Sequence, residues 1–430
     1  MDWDKPAIGL SRRWRAVGVL GAAAALMAAA CGSSTSTSTP SASSGGSPSA
    51  SAGATVPNLS VSSFDLSFSA MSQLKPLVAA GSGPVAAILP DTTSSTRYTE
   101  FDAPYLTKAL QAAGYSSSQI IVENAQGSDA TELSMAQTAI TKGAKVLMMD
   151  PLDATVGSEI QSYAASHGVA LISYDRATFA GTNTYYVSFN NVKVGQLIGQ
   201  GFMQCVTAWK VPSPVNVYEV DGGENSDPNA IDFAKGYNQV IWGQEKTPLP
   251  DGTTNSQGYK LVHEQITLNW DVATAGTQTA AALTAHPDIN AIVTANDEMN
   301  AEVVKDLQNK GVKPDTVPTT GQDATLTGAE NILSGYQCGT VYKPIYLEAQ
   351  DAVALATILR AGKTPPASLV NATTTDPSNS SITEPASLLS PTWVTAQNMN
   401  STLIKDNFIP ASSLCSAVGA SVCSKYGISG

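Results

Sequence analysis

One unit repeats along this chain: a short apolar run, a segment with helical periodicity, then a glycine. Residues 85–89, 119–123, 145–149 and 169–173 are the apolar runs, too short for helices and of the length of buried strands. Residues 100–113, 130–141 and 155–166 are the periodic segments, stopped by Gly114, Gly143 and Gly168. Glycine most readily takes the left-handed conformation that closes a helix. Such alternation admits few folds. Consecutive strands lie parallel, and right-handed crossovers place the helices on both faces of the sheet. The fold class is therefore α/β, with doubly wound parallel sheets.

The alternation breaks once. Residues 169–199 carry a fourth strand ending in Tyr174-Asp175-Arg176, a second β-rich run at 185–189, and Asn190-Asn191 at the head of a helical pattern. Beyond this seam the unit resumes, with strands expected at 215–220, 260–265, 289–295 and 317–321 between helical segments. A chain of 430 residues is long for one core and suits two lobes. Residues 339–342 read as a second crossing between lobes, the Ala-rich residues 345–360 as a helix returned to the first lobe, and residues 386–394 as a third crossing leading to a C-terminal tail on the second lobe. The polar stretch 373–383 reads as an exposed connection, and residues 58–82 show only a short helix at 71–80. Two lobes joined by three strands form a hinge. Sheets of this class bind ligands beyond the carboxyl ends of their strands.

Residues 1–30 have the form of an export signal: Lys5, Arg12, Arg13 and Arg15 precede an apolar stretch too short for an ordinary membrane span. It ends in Ala28-Ala29-Ala30-Cys31-Gly32. Small residues before a cysteine resemble the bacterial lipobox. That implies a diacylated Cys31 and a protein held by lipid alone to the outer face of the cell membrane; secretion with an incidental cysteine is the alternative. Residues 33–57 are Ser, Thr, Gly, Ala and Pro apart from Val56, a composition that cannot bury enough apolar surface to order itself. Residues 31–57 are thus expected to be the lipidated cysteine and a disordered tether spanning about 25–30 Å.

The net charge of −12 offers no electrostatic reason to bind nucleic acid or an anionic membrane. Four cysteines remain, Cys205, Cys338, Cys415 and Cys423. An even number in an exported chain favours disulfides. Of the three connectivities, the short spacing of Cys415 and Cys423 favours a local loop, which leaves Cys205 with Cys338; buried free thiols are the alternative. No CxxC or Cys/His spacing points to a metal, so neither metal nor cofactor is expected.

The strand ends carry a distinctive set: Pro90-Asp91 with Arg97-Tyr98 just beyond; Asp150; Asp175-Arg176; Asp221-Gly222-Gly223 with Asp227-Pro228-Asn229; Asn296-Asp297; Gln322-Asp323; and Lys343 on the second crossing. Trp270 precedes a helix that Asp271 is placed to cap. Carboxylates and amide oxygens accept from hydroxyls, while Arg, Lys and amide NH₂ groups donate to them. Tyr98 and Trp270 can lie against the C–H face of a pyranose. The set suits a neutral, polyhydroxylated ligand. Singly, each residue has a plainer role: Asp297 fits a helix cap better than a ligand contact, Arg176 could merely neutralise Asp175, and Trp270 could be a core residue. A hydrolase is disfavoured, because the three histidines (His167, His263, His286) stand away from strand ends and no GxSxG occurs. Neighbouring Arg97, Arg176 and Lys343 also keep carboxylates ionised, which suits acceptance better than acid catalysis. A DNA-binding regulator would need a helix-turn-helix where residues 1–57 stand.

These motifs together resemble the periplasmic sugar-binding proteins of the ribose/galactose type, and most closely the D-xylose-binding protein group. The resemblance rests on Arg97-Tyr98, Tyr174-Asp175-Arg176, Tyr186-Val187-Ser188-Phe189-Asn190-Asn191, Gly222-Gly223 through Asp227, Ala295-Asn296-Asp297, Gly321-Gln322-Asp323-Ala324, Thr340-Val341-Tyr342-Lys343-Pro344 and Leu388-Leu389-Ser390-Pro391. It implies a type I periplasmic-binding-protein fold, with the first crossing near 186–191. The lobes would then be residues 84–188 with 343–372, and 189–342 with 386–430. It implies sugar contacts at Arg97, Asp175, Arg176, Asp227, Asn229, Asn296, Asp323 and Lys343, and stacking aromatics at Tyr98 and Trp270. Tyr98 departs from the xylose group, which has Trp there. The insertion at 244–258 and the Cys-bearing tail depart from shorter members. The implied function is a monomeric receptor that hands a monosaccharide, xylose or a related aldose, to an ABC permease with its ATPase. A sugar sensor presenting ligand to a membrane signalling protein is the alternative.

Overall fold

The computed structural model describes residues 53–180 and 184–430. The export signal at 1–30 and Cys31 lie outside the described residues. Seven strands form the first sheet: β1 (Val85–Leu89), β2 (Ile120–Asn124), β3 (Val146–Met149), β4 (Ala170–Tyr174), β5 (Thr184–Phe189), and, from much later in the chain, β11 (Ala372–Asp376) and β12 (Asn379–Leu389). Between them come β6 (Val215–Asp221), β7 (Tyr259–Ile266), β8 (Ala291–Thr294), β9 (Thr320–Gln322) and β10 (Gly339–Tyr342); β13 (Thr392–Val394) follows, and these build the second lobe. The first sheet runs β11-β12-β5-β4-β3-β1-β2, parallel throughout except for the antiparallel β11–β12 pair.

The second lobe has two three-stranded sheets, β7-β6-β8 and β13-β10-β9. They meet where Ile292 N donates to Pro318 O (2.9 Å) and Thr294 N donates to the Thr320 side chain (2.9 Å). Thr320 Oγ1 in turn donates to Thr294 O (3.0 Å). A hydroxyl thus replaces a rung of the ladder, and the six strands read as one sheet with a side-chain seam.

Three connections join the lobes. β5 runs into helix Asn191–Ala208, β10 into helix Ile345–Arg360 through Lys343-Pro344, and β12 into β13 through Ser390-Pro391. β5 and β12 lie parallel, Tyr186 opposite Ala386 and Phe189 opposite Leu389, and Asn190 N donates to Leu389 O (3.0 Å).

Two expectations change. Residues 373–383 are not a loop but most of a hairpin at the edge of the first sheet. Thr373, Thr375 and Glu384 belong to its ladder, and Lys235 of the second lobe holds its turn by donating to Pro377 O (2.7 Å). An edge hairpin buries little, so its sequence carries few apolar residues. The tether also ends earlier than expected, since Ala54 and Val56 pack on the first core. Leu59, Phe64, Phe68, Met71, Leu74 and Leu77 continue that contact. Arg360 anchors the segment by donating to the carbonyls of Val78 and Gly83.

Cys205 pairs with Cys338, and Cys415 with Cys423, with Cα separations of 6.0 and 5.7 Å. Among the described residues no helix is long and apolar enough to cross a membrane.

Candidate functional site

The strands of both sheets end at one cleft. The ten residues singled out in the sequence, Arg97, Tyr98, Asp175, Arg176, Asp227, Asn229, Trp270, Asn296, Asp323 and Lys343, all line a single cavity there. Ser94, Ser95, Phe233 and Gln322 complete its wall. The cavity is narrow. Its enclosed room is about 20 Å³, enough for one or two waters.

Three of these residues lie in the left-handed backbone region. Asp175, Trp270 and Asp323 have φ of 61°, 56° and 84°, a region that L-residues seldom occupy and that costs of order 1–3 kcal/mol per residue. Each follows a strand directly or within a few residues, where the turn re-aims its side chain into the cleft. Gly222 makes room for Trp270: a Cβ there would overlap the indole ring. The indole is 5 % exposed, packs edge-on against Phe233 (6.2 Å, 65°), and donates from Nε1 to Asp227 Oδ2 (3.2 Å).

Charge is the cavity's main content. Arg97 makes a forked pair with Asp102 (both 2.9 Å) and also reaches Asp175 (2.8 Å) and Glu348 (2.7 Å). Burial works against its charge, but the three carboxylates outweigh it and hold the guanidinium well above its usual range. Asp175 is likewise opposed by burial, yet Arg97, Lys343 and Arg176 bring its carboxyl below the ordinary value. Arg176 spans Asp227 (3.4 Å) and Asp150 (3.8 Å) and donates to the Tyr98 hydroxyl (2.9 Å). The guanidinium groups of Arg97 (5.7 Å) and Arg176 (5.6 Å) both lie within cation–π reach of the Tyr98 ring. Lys343 pairs with Asp323 (2.8 Å). Asp150 keeps both carboxylate oxygens without a hydrogen-bond donor, and burial followed by the charge of Asp175 pushes it well up.

Several contacts cross between lobes. Asn229 Nδ2 donates to the Asp175 carbonyl (2.8 Å), while its Oδ1 accepts from Asn191 Nδ2 (2.8 Å). Its amide is therefore engaged at the hinge although it lines the cavity. Asn296 caps helix Asp297–Asn309 through Oδ1 and donates from Nδ2 to Ser94 O (3.3 Å). Glu298, on the first turn of that helix, accepts from Thr96 N (2.9 Å) and Ser95 Oγ (3.1 Å) of the first lobe. Burial, then the charge of Asp323, pushes its carboxyl up to about 8.

The helix cap is thus Asn296 and not Asp297. Asp297 is a buried hub that accepts from Thr325 N, Gln337 Nε2 and Thr340 Oγ1. Asp271 caps helix Val272–Ala285 through Thr274 N (2.6 Å). Ser94, Ser95 and Glu298 were not singled out from the sequence. The serines lie in a turn around Asp91, which accepts from Ser94 N and Ser94 Oγ (both 2.7 Å). Glu298 stood immediately after Asn296-Asp297, and only that position could have marked it.

The hinge, the strand-end cleft and its carboxylate–guanidinium lining define a class. The chain belongs to the periplasmic binding protein family, whose domain matches residues 86–364. It is 32 % identical to the D-xylose-binding periplasmic protein of Escherichia coli K12 over 314 residues, covering 73 % of this chain and 87 % of that protein. It is 28 % identical to the multiple sugar-binding periplasmic receptor ChvE of Rhizobium radiobacter over 347 residues, 79 % and 94 % of the two chains. A carbohydrate transporter solute-binding protein from Chloroflexus aurantiacus, solved in complex with D-glucose, superimposes with a TM-score of 0.64 at 27 % identity, covering 76 % of this chain and 97 % of that one.

Proposed function

We propose that this chain captures a monosaccharide, xylose or a related aldose, between its lobes and delivers it to an ABC importer. The observation that carries the reading is the convergence of ten strand-end residues from both lobes on one cavity. Asp175, Asp227 and Asp323 accept from sugar hydroxyls, Arg97, Arg176, Asn296 and Lys343 donate to them, and Tyr98 and Trp270 pack on the ring faces. Asn229 joins them by releasing part of its hinge network. The cavity as it stands has room for only one or two waters, so the ligand enters an opened cleft and re-aims the Lys343–Asp323 and Arg97–Asp175 pairs. It contacts both lobes only on closure, which biases the open–closed equilibrium toward the state the permease recognises. The sugar leaves unchanged, since the carboxylates nearest it are balanced by Arg and Lys.

A thermal-shift screen against pentoses, hexoses and sugar acids tests this. A raised melting temperature with an aldose recovered intact is the expected result. No shift with any sugar, or conversion of the sugar, overturns it. Similarity to a protein described as a receptor supports a second reading, in which the closed form is presented to a membrane signalling protein. Sugar uptake in a strain lacking the permease, scored beside sugar-induced transcription, separates the two. Export and anchoring at Cys31 complete the proposal: a Cys31→Ala chain should lose incorporation of a fatty-acid label.

A further inference from the structure

A second polar cluster lies in the second lobe, outside the cavity described above. Glu219 and Asp221 occupy one face of β6, and Glu264 on β7 is in register with Glu219. Glu224 follows at the end of β6. Asp221, Glu224 and Glu264 each bring a carboxylate oxygen within 4.8 Å of the other two. Helix Pro228–Trp242 covers them: Tyr237 donates to Asp221, Asn238 Nδ2 to Glu264 (3.1 Å), and Trp242 Nε1 to Glu219 (2.8 Å). The insertion at 244–258 closes the top, with Thr247 Oγ1 2.6 Å from both Glu224 and Glu264 and Leu249 N on Glu264. Among the described residues no Lys, Arg or His forms an ion pair with any of the four acids.

An independent observation concerns acceptors. Asn238 is fully buried, its amide is fixed against Glu264, and its Oδ1 accepts no hydrogen bond. Asp221 Oδ2 and Glu219 Oε2, also fully buried, accept none either. A buried oxygen without a donor is costly; here such oxygens belong to Asp221 of the close trio, to Glu219 in register with Glu264, and to the amide bonded to Glu264.

We propose that Asp221, Glu224 and Glu264, with the Asn238 amide oxygen, hold a hard divalent cation, Ca²⁺ foremost. An all-oxygen donor set rich in carboxylate suits Ca²⁺, Mg²⁺ or Mn²⁺; metals that seek nitrogen or sulfur find none, because His263 is paired with Asp251 instead. Ca²⁺ accepts irregular sets of six to eight oxygens, whereas Mg²⁺ demands near-octahedral geometry and keeps its waters. Partly exposed Glu224 gives the ion a way in. The bound ion would brace the Asp221-Gly222-Gly223 turn against which Trp270 rests, and with it the insertion loop.

The test needs no sugar. The purified full chain is stripped with EDTA and titrated calorimetrically with CaCl₂, MgCl₂ or MnCl₂; Tb³⁺ luminescence, excited through Trp242, reports occupancy independently. One Ca²⁺ per chain, a raised melting temperature, and at least tenfold weaker binding in both Glu224→Gln and Glu264→Gln are expected. Absence of saturable binding by all three ions overturns the site, as does binding that neither variant alters. If Glu264→Gln does not fold, partly exposed Glu224→Gln decides alone, with circular dichroism checking its fold. A variant that melts higher than the parent whether or not Ca²⁺ is added shows acids that share protons instead, and refutes the proposal.

Discussion

Glu298 offers the sharpest test of how closure is held. It belongs to the second lobe, yet its carboxyl accepts from Thr96 N (2.9 Å) and Ser95 Oγ (3.1 Å) of the first. Both bonds exist only with the lobes together. Two such bonds contribute together about 1–3 kcal/mol, so Glu298→Ala should weaken sugar binding by roughly 5- to 150-fold. Closure also moves the group from water to a buried site beside Asp323, where its carboxyl rises from 4.5 to about 8. A raised acid means that the closed form binds more protons than the open form. Its contribution to closure is full below about pH 4.5, fades as pH rises, and is gone above about pH 8. Between those limits the dissociation constant should rise with pH, approaching tenfold per unit at most. Calorimetry from pH 5 to 8 on the parent and on Glu298→Gln reads both effects. Gln keeps one acceptor oxygen and cannot titrate, so its affinity should change less with pH than the parent's. An equal pH slope in parent and Gln variant would refute the reasoning.

Other outcomes follow from the same geometry. Arg176→Ala leaves Asp150 and Asp227 without their cation and should weaken sugar binding at least about 100-fold; calorimetry showing undiminished affinity would remove Arg176 from the site. Asp175→Asn keeps a residue that tolerates the left-handed backbone, so it should lose affinity with little change in melting temperature, and a large melting loss would argue for a purely structural role. Replacing the Cys205–Cys338 pair by alanine opens a loop of 133 residues and should cost about 2–5 kcal/mol in urea unfolding, more than loss of Cys415–Cys423, whose span is 8. Phe408 of the tail stacks on Phe101 of the first lobe at 3.9 Å and 9°. Phe408→Ala should shift sugar-bound chains toward the open form, by about 0.5–1.5 kcal/mol, seen as a larger radius of gyration in X-ray scattering.

The strand–helix order was legible because buried parallel strands need continuous apolar runs, and those runs show in sequence. Residues 85–89 and 339–342 are strands over the ranges expected, and the other parallel strands, β12 apart, shift by one to three residues at their ends. The edge hairpin escaped notice because Thr, Ser and Asp alternate there without an apolar face. Most of the ten cleft residues were readable because they stand at or shortly after strand ends, while Trp270 was marked only as the aromatic before a capped helix. Glu298 was not, since its partners Ser95 and Thr96 lie about 200 residues away and the bond depends on how the lobes meet. The acid cluster behind Trp270 was hidden for a similar reason: β6, β7, a helix and an insertion each supply part of it. Asp297 shows the reverse error, a cap read from local pattern where tertiary bonds decide.

The return of β12 to the first sheet sets an order on folding. The strand that flanks β5 follows all of β6–β10 in the chain, and helix Ile345–Arg360, which anchors the segment before β1 through Arg360, comes only shortly before it. A chain growing from its N-terminus therefore cannot finish its first lobe before β6–β10 of the second have been made. The hinge thus forms only after the second lobe has been laid down between the two parts of the first.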